Sequence, residues 1–302
     1  MIDEPAKDFK SGFVAVLGRP NVGKSTLVNR LVGAKVSITS PRPQTTRGPI
    51  RGVRDGPGYQ AVFVDTPGSQ KPRDTLRSRM QEQVLDSVSE SDIVLLLFDA
   101  AHAQKGLGTG DLYVARLVAK SGSPAIACIN KVDLLTDSSA ALPVVERVSE
   151  LADYEDVVLL SAKEGLNTEP LMEAVVGLLP SGPRYFPEGT LTDYPESLVL
   201  AEYIREKALL ALREEVPHAI AVETDEVERK NNVTVVYATI HVERPSQRMI
   251  VLGKGGKTIK QIGTQARRDV ERLLATRIYL YLKVKVTPGW RNDRRFLERL
   301  GL

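Results

Sequence analysis

The octapeptide Gly18-Arg19-Pro20-Asn21-Val22-Gly23-Lys24-Ser25 constrains this chain more than any other stretch. It has the spacing G-x-x-x-x-G-K-S, follows the apolar run 13–17, and opens a helix-like pattern at Lys24. Glycines at these positions let successive backbone N–H groups converge, and the start of a helix adds positive potential. Together they form a cradle for phosphate groups. Lys24 is expected to reach the β- and γ-phosphates and to act in catalysis. Ser25 is expected to ligate Mg²⁺ through its hydroxyl, and Thr26 completes the expected phosphate-binding run.

The surrounding pattern suits that loop. Apolar runs at 13–17, 59–65, 93–99, 125–130 and 157–161 read as strands. Helix-like segments at 24–32, 74–88, 110–120, 139–152 and 169–179 lie between them. The alternation predicts an α/β fold, with a mostly parallel sheet covered by helices on both faces. Ligands in such sheets sit beyond the carboxyl ends of the strands.

The base is chosen elsewhere. Asn130-Lys131-Val132-Asp133 closes the run 125–130. Guanine presents N1–H and an exocyclic amino group, and a carboxylate accepts from both, so Asp133 is expected to select guanine. Asn130 is expected to hold the loop, with the Lys131 stem along the base plane. Ser161-Ala162-Lys163 follows the next run and is expected to meet guanine O6 and the other base face. Asp65-Thr66-Pro67-Gly68 ends another strand: Asp65 is expected at Mg²⁺ and the Gly68 N–H at the γ-phosphate. The polar segment 35–48 reads as a switch loop, and one threonine in it, Thr46 in preference to Thr45, is expected to complete the metal shell. These elements fit GTP and GDP with Mg²⁺ as ligands. A P-loop kinase or ATPase shares the first element and has no need of N-K-x-D.

Phosphoryl transfer depends on positioning and charge stabilisation. The residues after Gly68 are Ser69 and Gln70, and neither is assigned to orient water. GTPases with asparagine at the position of Asn21 often bind K⁺, so two readings stand for it: a K⁺ site, with slow intrinsic hydrolysis that K⁺ accelerates, or a turn residue of the phosphate loop.

Residues 179–195 hold four prolines and two glycines and read as a linker. The expected division is a GTPase domain at 1–180, a linker at 181–195 and a second, α+β domain at 196–302. In the last part the predicted order is α-β-β-α-α-β, with elements at 198–212, 219–225, 233–242, 246–252, 258–274 and 278–286. Gly253-Lys254-Gly255-Gly256 fits the G-x-x-G loop with which KH domains clamp a nucleic-acid strand. Lys257 and Lys260 flank it, and residues 245–302 carry 14 Lys/Arg against 4 Asp/Glu, whereas the rest of the chain is net −7. Ile259, Ile262, Ala266, Val270 and Leu273 make a helical core stripe. Ile278, Leu280, Leu282, Val284 and Val286 alternate toward the same core, leaving Tyr279, Tyr281, Lys283 and Lys285 on the other face. Lys283, Lys285 and Arg291 are further candidate RNA contacts, with stacking on Trp290 and Phe296 as an option.

Composition closes off other classes. The one cysteine, Cys128, sits in an apolar run and reads as a small buried hydrophobe, and the three histidines lack metal-ligand spacing. No window holds enough apolar residues to span a bilayer, and residues 1–11 lack a secretory leader's apolar core.

Taken together, GRPNVGKS, PRPQTTR, DTPG, NKVD, SAKEG, FPEGTLTD, AEYIREK and VLGKGGKTIKQIG resemble the Era family of bacterial GTPases, over nearly all 302 residues. The resemblance implies GTP hydrolysis, a carboxy-terminal KH domain of the second type (type II), and binding of small-subunit ribosomal RNA near its 3′ end. It further implies a role in assembly of the 30S subunit and peripheral association with the inner membrane. A monomer is expected, and the single cysteine fits a reducing cytoplasm. An RNA-binding scaffold with negligible hydrolysis is the alternative. Family members commonly carry an apolar residue after D-T-P-G, and this chain has Ser69 there.

Overall fold

The structure is a computed structural model that describes residues 9–68 and 74–302, apart from the side chains of Ser138 and Ser139. The chain divides into two compact units. One holds residues 9–37, 46–68 and 79–193; the other holds Ile38–Thr45, 74–78 and Tyr194–Leu302.

The first unit contains β1 (Lys10–Gly18), α1 (Lys24–Val32), β2 (Ile50–Gly56), β3 (Tyr59–Asp65), most of α2 (Thr75–Ser89), β4 (Ile93–Asp99) and α3 (Ala100–Ala103). It continues with α4 (Thr109–Ser121), β5 (Ala125–Asn130), α5 (Leu142–Ser149), β6 (Asp156–Leu160) and α6 (Thr168–Leu178). Six strands pair in the order β2-β3-β1-β4-β5-β6, all parallel except the β2–β3 pair. The central strands are apolar along their length because both sheet faces are covered. Alternate side chains go to opposite cores: Val14, Val16, Leu95 and Leu97 join Leu27 and Leu171, whereas Ala15, Leu17, Leu96 and Phe98 join Val84 and Val114. Cys128 is fully buried in the first of these cores, and burial raises its thiol pKa.

Strand β2 has no counterpart in the sequence reading. Its sequence, IRGVRDG, carries three charges and two glycines, and it reads as loop. It forms because Gly58, at φ 77°, closes a turn that returns the chain antiparallel onto β3. β2 lies at the edge of the sheet. The segment after α6, read as a linker, runs beside it: Val53 N–H donates to the Leu191 carbonyl (2.9 Å) and the Thr192 hydroxyl to the Arg51 carbonyl (2.6 Å). Buried Gln60 ties the same segment down, accepting from the N–H groups of Tyr185 and Phe186 and donating to the Phe186 carbonyl.

The second unit contains α7 (Glu196–Ala211), α8 (Val216–Ala219), β7 (Ala221–Lys230), β8 (Val233–Val242), α9 (Pro245–Leu252), α10 (Lys257–Leu274), β9 (Arg277–Val286) and α11 (Arg294–Arg299). Its sheet has the order β7-β8-β9, with β8–β9 parallel and β7–β8 antiparallel. Leu200 and Ile204 of α7, Ile262, Ala266 and Val270 of α10, and Val236 and Ile240 of β8 share one core. Leu273 departs from the expected stripe. It is 41 % exposed, and Leu274 packs against the core instead, because the 3.6-residue period carries the buried face from Val270 to the fourth residue on. Ile259 is only half-buried and borders a groove beside β9. Trp290 and Phe296 are packed inside, with exposures of 0 % and 2 %, so neither ring is offered for stacking.

Candidate nucleotide site and nucleic-acid surface

Strands β1, β3, β5 and β6 end on one side of their sheet, and each expected nucleotide motif follows one of those ends. Gly18 and Gly23 in the first loop have φ values of 146° and 107°. A Cβ at Gly23 would stand 2.2 Å from Asn130 Nδ2, so this position needs glycine for its backbone angle and for its neighbour. The Lys24 ammonium is buried and donates to the carbonyls of Gly18 and Arg19, both at 3.1 Å. Burial lowers its pKa to about 8, with Asp65 pulling the other way. Arg19 is drawn off the loop to Asp111 (3.0 Å) and His102 (2.9 Å). Asn21 is left-handed, at φ 63°, and its carbonyl accepts from Lys131. Val22 is buried, with its carbonyl taken by Asn130. Pro20 lies against Gly68, where an added Cβ would come within 2.9 Å of the proline ring.

Ser25, Thr46 and Asp65 converge. The Ser25 and Thr46 hydroxyls are 3.0 Å apart, and Thr46 donates to Asp65 Oδ2 at 3.0 Å. Asp65 is fully buried, and its second oxygen, Oδ1, has no hydrogen-bond partner among the described residues. Burial raises the Asp65 pKa, opposed by the Lys24 charge and by the nearby hydroxyls of Ser25, Ser37 and Thr46. A buried carboxylate with an unmatched oxygen beside two hydroxyls is a hard-oxygen donor set, and it fits Mg²⁺. Thr45 is placed elsewhere, its hydroxyl donating to the Arg42 carbonyl at 2.7 Å. Of the two threonines, Thr46 is the one whose hydroxyl lies beside Ser25 and Asp65. Thr66 donates to the Val16 carbonyl at 2.7 Å, and Pro67 is buried, so both shape the turn that presents Gly68. Ser69 and Gln70 lie outside the described residues.

At the base end, Asn130 is the junction. Its amide donates to the Val22 carbonyl (2.8 Å), and its Oδ1 accepts from Ala162 N–H (2.9 Å), fastening the phosphate loop to Ser161-Ala162-Lys163. Lys131, left-handed at φ 67°, is anchored by Asp99 and the Asn21 carbonyl, both at 2.6 Å. Asp133 is exposed. Ser161 is buried, and its hydroxyl accepts from Glu164 N–H. Lys163 is exposed and bonded to Glu164 at 3.0 Å; that bond raises its pKa, with a smaller contribution from the Asp133 charge. Three supports have no local sequence signal. Asn29 binds the N–H groups of Val36 and Ser37 at 2.9 Å each; Arg30 donates to the carbonyls of Ala162 and Lys163; Asp99 holds Lys131.

In the second unit, Gly253, Gly255 and Gly256 all have positive φ, at 70°, 62° and 75°. Only Gly253 is crowded, since a Cβ there would fall 2.2 Å from the Thr258 hydroxyl. Lys254, Lys257 and Lys260 are exposed around this loop and make no ion pair among the described residues. Beside them a groove between α10 and β9 is lined by Ile259, Lys260, Gly263, Arg267, Leu280 and Leu282. Lys285 is exposed, Lys283 pairs with Asp225 at 3.3 Å, and Arg291 is engaged internally, donating to the His218 carbonyl. The same unit contains Ile38–Thr45. Ile38 lies in its core, Thr39 N–H donates to Glu206 (2.9 Å), Arg42 donates to the Leu212 carbonyl (3.2 Å), and Arg205 donates to the Thr45 carbonyl. Lys207 then joins Glu206 (2.8 Å) to Asp269 of α10.

The comparisons with known proteins follow this division. Residues 13–131 match a family described as 50S ribosome-binding GTPase, and residues 215–291 match the KH domain family. The structure of an Era variant from Aquifex aeolicus bound to GDP·AlF4⁻ is similar at a TM-score of 0.93 and 37 % identity, covering 97 % of this chain and 99 % of that one. A structure of Era in complex with MgGDPNP and nucleotides 1506–1542 of 16S ribosomal RNA is similar to the same degree. With motif order, both units and an identity of 37 % carried over 97 % of its length, the chain belongs to the Era family of GTPases with a carboxy-terminal KH domain.

Proposed function

We propose that this protein is a GTP-operated RNA-binding switch that acts on small-subunit ribosomal RNA during 30S assembly. The observation that carries the nucleotide half is the Asn130 junction, which fixes the phosphate loop and the base loop in one frame and leaves Asp133 free to accept from guanine. Lys24 binds the β- and γ-phosphates, and Ser25, Thr46 and Asp65 hold Mg²⁺. When bound there, the ion neutralises charge on the phosphate oxygens. Attack by water on the γ-phosphorus breaks its bond to the β-phosphate oxygen and yields GDP and inorganic phosphate. In this reading the Gly68 N–H meets the transferred group, and K⁺ held at Asn21 stimulates the reaction.

RNA is held by Gly253, Lys254, Gly255 and Gly256, with Lys257 and Lys260 on its phosphates and Lys283 and Lys285 farther along. The coupling runs through Ile38–Thr45: GTP orders Thr46, and the adjoining residues are held by Arg205 and Glu206 of α7. Hydrolysis releases Thr46 and with it the RNA. In this reading the protein works as a cytoplasmic monomer with peripheral association at the membrane; no described helix is long and apolar enough to cross one.

Competition between GTP and ATP tests the nucleotide half. Wild type should prefer GTP, and Asp133→Ala should lose at least tenfold of that preference, since two charge-assisted bonds to the base disappear. An unchanged preference would remove Asp133 from the site. Turnover in K⁺ buffer above that in Na⁺ buffer is expected; equal rates would sink the K⁺ assignment.

A further inference from the structure

The outward face of β9 presents Arg277, Tyr279, Tyr281, Lys283 and Lys285 in succession, and all five are exposed. Tyr279 is 58 % and Tyr281 56 % exposed, although both belong to a strand with an ordered neighbour. Large aromatic rings on a sheet normally bury much of their surface. Here the Tyr281 ring lies nearly flat on Tyr237 of β8, with centroids 5.1 Å apart and planes at 12°, so one ring braces the other and a flat π-face is held out. Side chains on one strand face recur about every 6.6 Å, close to the spacing of bases along an extended single strand.

Charge sorts itself across this face. β9 supplies Arg277 and Lys285, which make no ion pair among the described residues. β7, two strands away, supplies Glu223, Asp225, Glu226 and Glu228, of which Glu223, Asp225 and Glu228 are already paired with Arg299, Lys283 and Lys230. The unpaired cations of this face are therefore on β9, and a polyanion is drawn to that side. An acidic peptide would satisfy the cations but has no use for flat rings. Single-stranded nucleic acid has both the phosphates and the stacking faces.

The location supplies the link to the G-x-x-G loop. β9 is the last strand of its sheet, and its Leu280 and Leu282 line the groove with Lys260 and Arg267 of α10. Tyr279 borders that groove while its ring belongs to the outward face. A strand leaving the groove reaches the tyrosines by passing one free sheet edge. We propose that the outward face of β9 is a second RNA-contacting surface, on which the nucleotides adjoining the G-x-x-G-bound segment stack on Tyr279 and Tyr281 with their phosphates on Arg277 and Lys285. This rests on the proposed holding of RNA at the G-x-x-G loop, beside which the groove lies.

The test uses the full-length protein with a non-hydrolysable GTP analogue and two single-stranded RNAs cut from 16S nucleotides 1506–1542. One is about five nucleotides, enough for the four that a G-x-x-G loop clamps, and one is about ten. Binding is read by fluorescence anisotropy. The longer RNA should bind wild type more tightly. Tyr279→Ala with Tyr281→Ala should lose about tenfold or more on the longer RNA and less than twofold on the shorter, since each stacked base contributes about that much. Tyr279→Phe with Tyr281→Phe should behave as wild type, because the ring and not the hydroxyl stacks. Equal loss on both lengths, or no loss on either, would overturn the second surface while leaving the groove intact. Failure of both RNAs to bind wild type would overturn the RNA reading itself, and the second surface with it.

Discussion

Asn130 shows how much one side chain can fix. Its amide spends both ends on backbone groups of two other loops, Val22 and Ala162, and all three sites are buried. Asn130→Ala leaves a buried carbonyl and a buried N–H without partners, at a cost of about 1–3 kcal/mol each. The expected result is a lower melting temperature and GDP affinity weakened more than tenfold, measured by calorimetry on the same sample. His241 gives a second prediction. Burial lowers its pKa below the ordinary 6.5, against the pull of Glu223 and Asp225 and with Lys285 assisting; Thr287 and Phe296 complete its surroundings. The fold therefore holds the ring neutral, and the unfolded chain takes up the proton first as pH falls. Stability of the second unit should decline as pH drops below about 6.5 and level off below the folded pKa. Urea titrations at pH 7.5 and 5.5 should show this decline in wild type and a smaller one in His241→Gln; a decline of equal size in the variant would exclude His241 as its source. At this scale the sequence was legible where chemistry imposes spacing: Lys24, Ser25, Asp65, Asn130 and Asp133 stand at motif positions. Asn29, Asp99 and Glu206 were not, because each acts on a loop that only the fold brings to it.

Elements were legible in proportion to their periodicity. β3, β4, β5 and β8 fall on the residues their apolar patterns mark, and α10 begins one residue before its expected start. β2 was missed because an edge strand with three charges has no buried alternation to read. The Leu273 placement was missed for the opposite reason: two adjacent leucines compete for one helical face, and packing decides between them. The G-x-x-G loop is an element whose glycines differ in role. Gly253, at φ 70° and ψ 170°, occupies a region open to glycine alone and has Thr258 against it, whereas Gly255 faces open space. Acidic residues at Lys254 and Gly255 should therefore leave the unit folded, abolish RNA binding, and preserve GTP affinity within twofold. Gly253→Ala should instead cost about 1–3 kcal/mol of stability. Filter binding and thermal melts on the two variants separate these effects. If the acidic variant loses GTP binding as well, the division of labour between the units fails.

For the whole molecule, the informative place is the peptide bond between Thr45 and Thr46. The Thr45 carbonyl is held by Arg205, the Thr46 hydroxyl by Ser25 and Asp65, so one bond joins the two sets of restraints. If nucleotide and RNA are coupled through this segment, each must change the other's affinity by the same factor, typically 5- to 150-fold. Wild type should bind RNA with affinities that differ by such a factor between the GTP-analogue and GDP states. Glu206→Ala, which removes the acceptor for Thr39 N–H, should shrink the ratio below twofold while leaving GTP affinity in place. A ratio that survives the substitution would mean the coupling bypasses Glu206. The stretch after α6 has a different consequence. By lying along β2 it occupies hydrogen-bonding groups that would otherwise invite a strand from a neighbouring copy, so it serves as a guard against self-association as well as a connection. A shortened protein ending at Leu179 should sediment as aggregates, and one ending at Asp193, with the guard kept, should remain monodisperse.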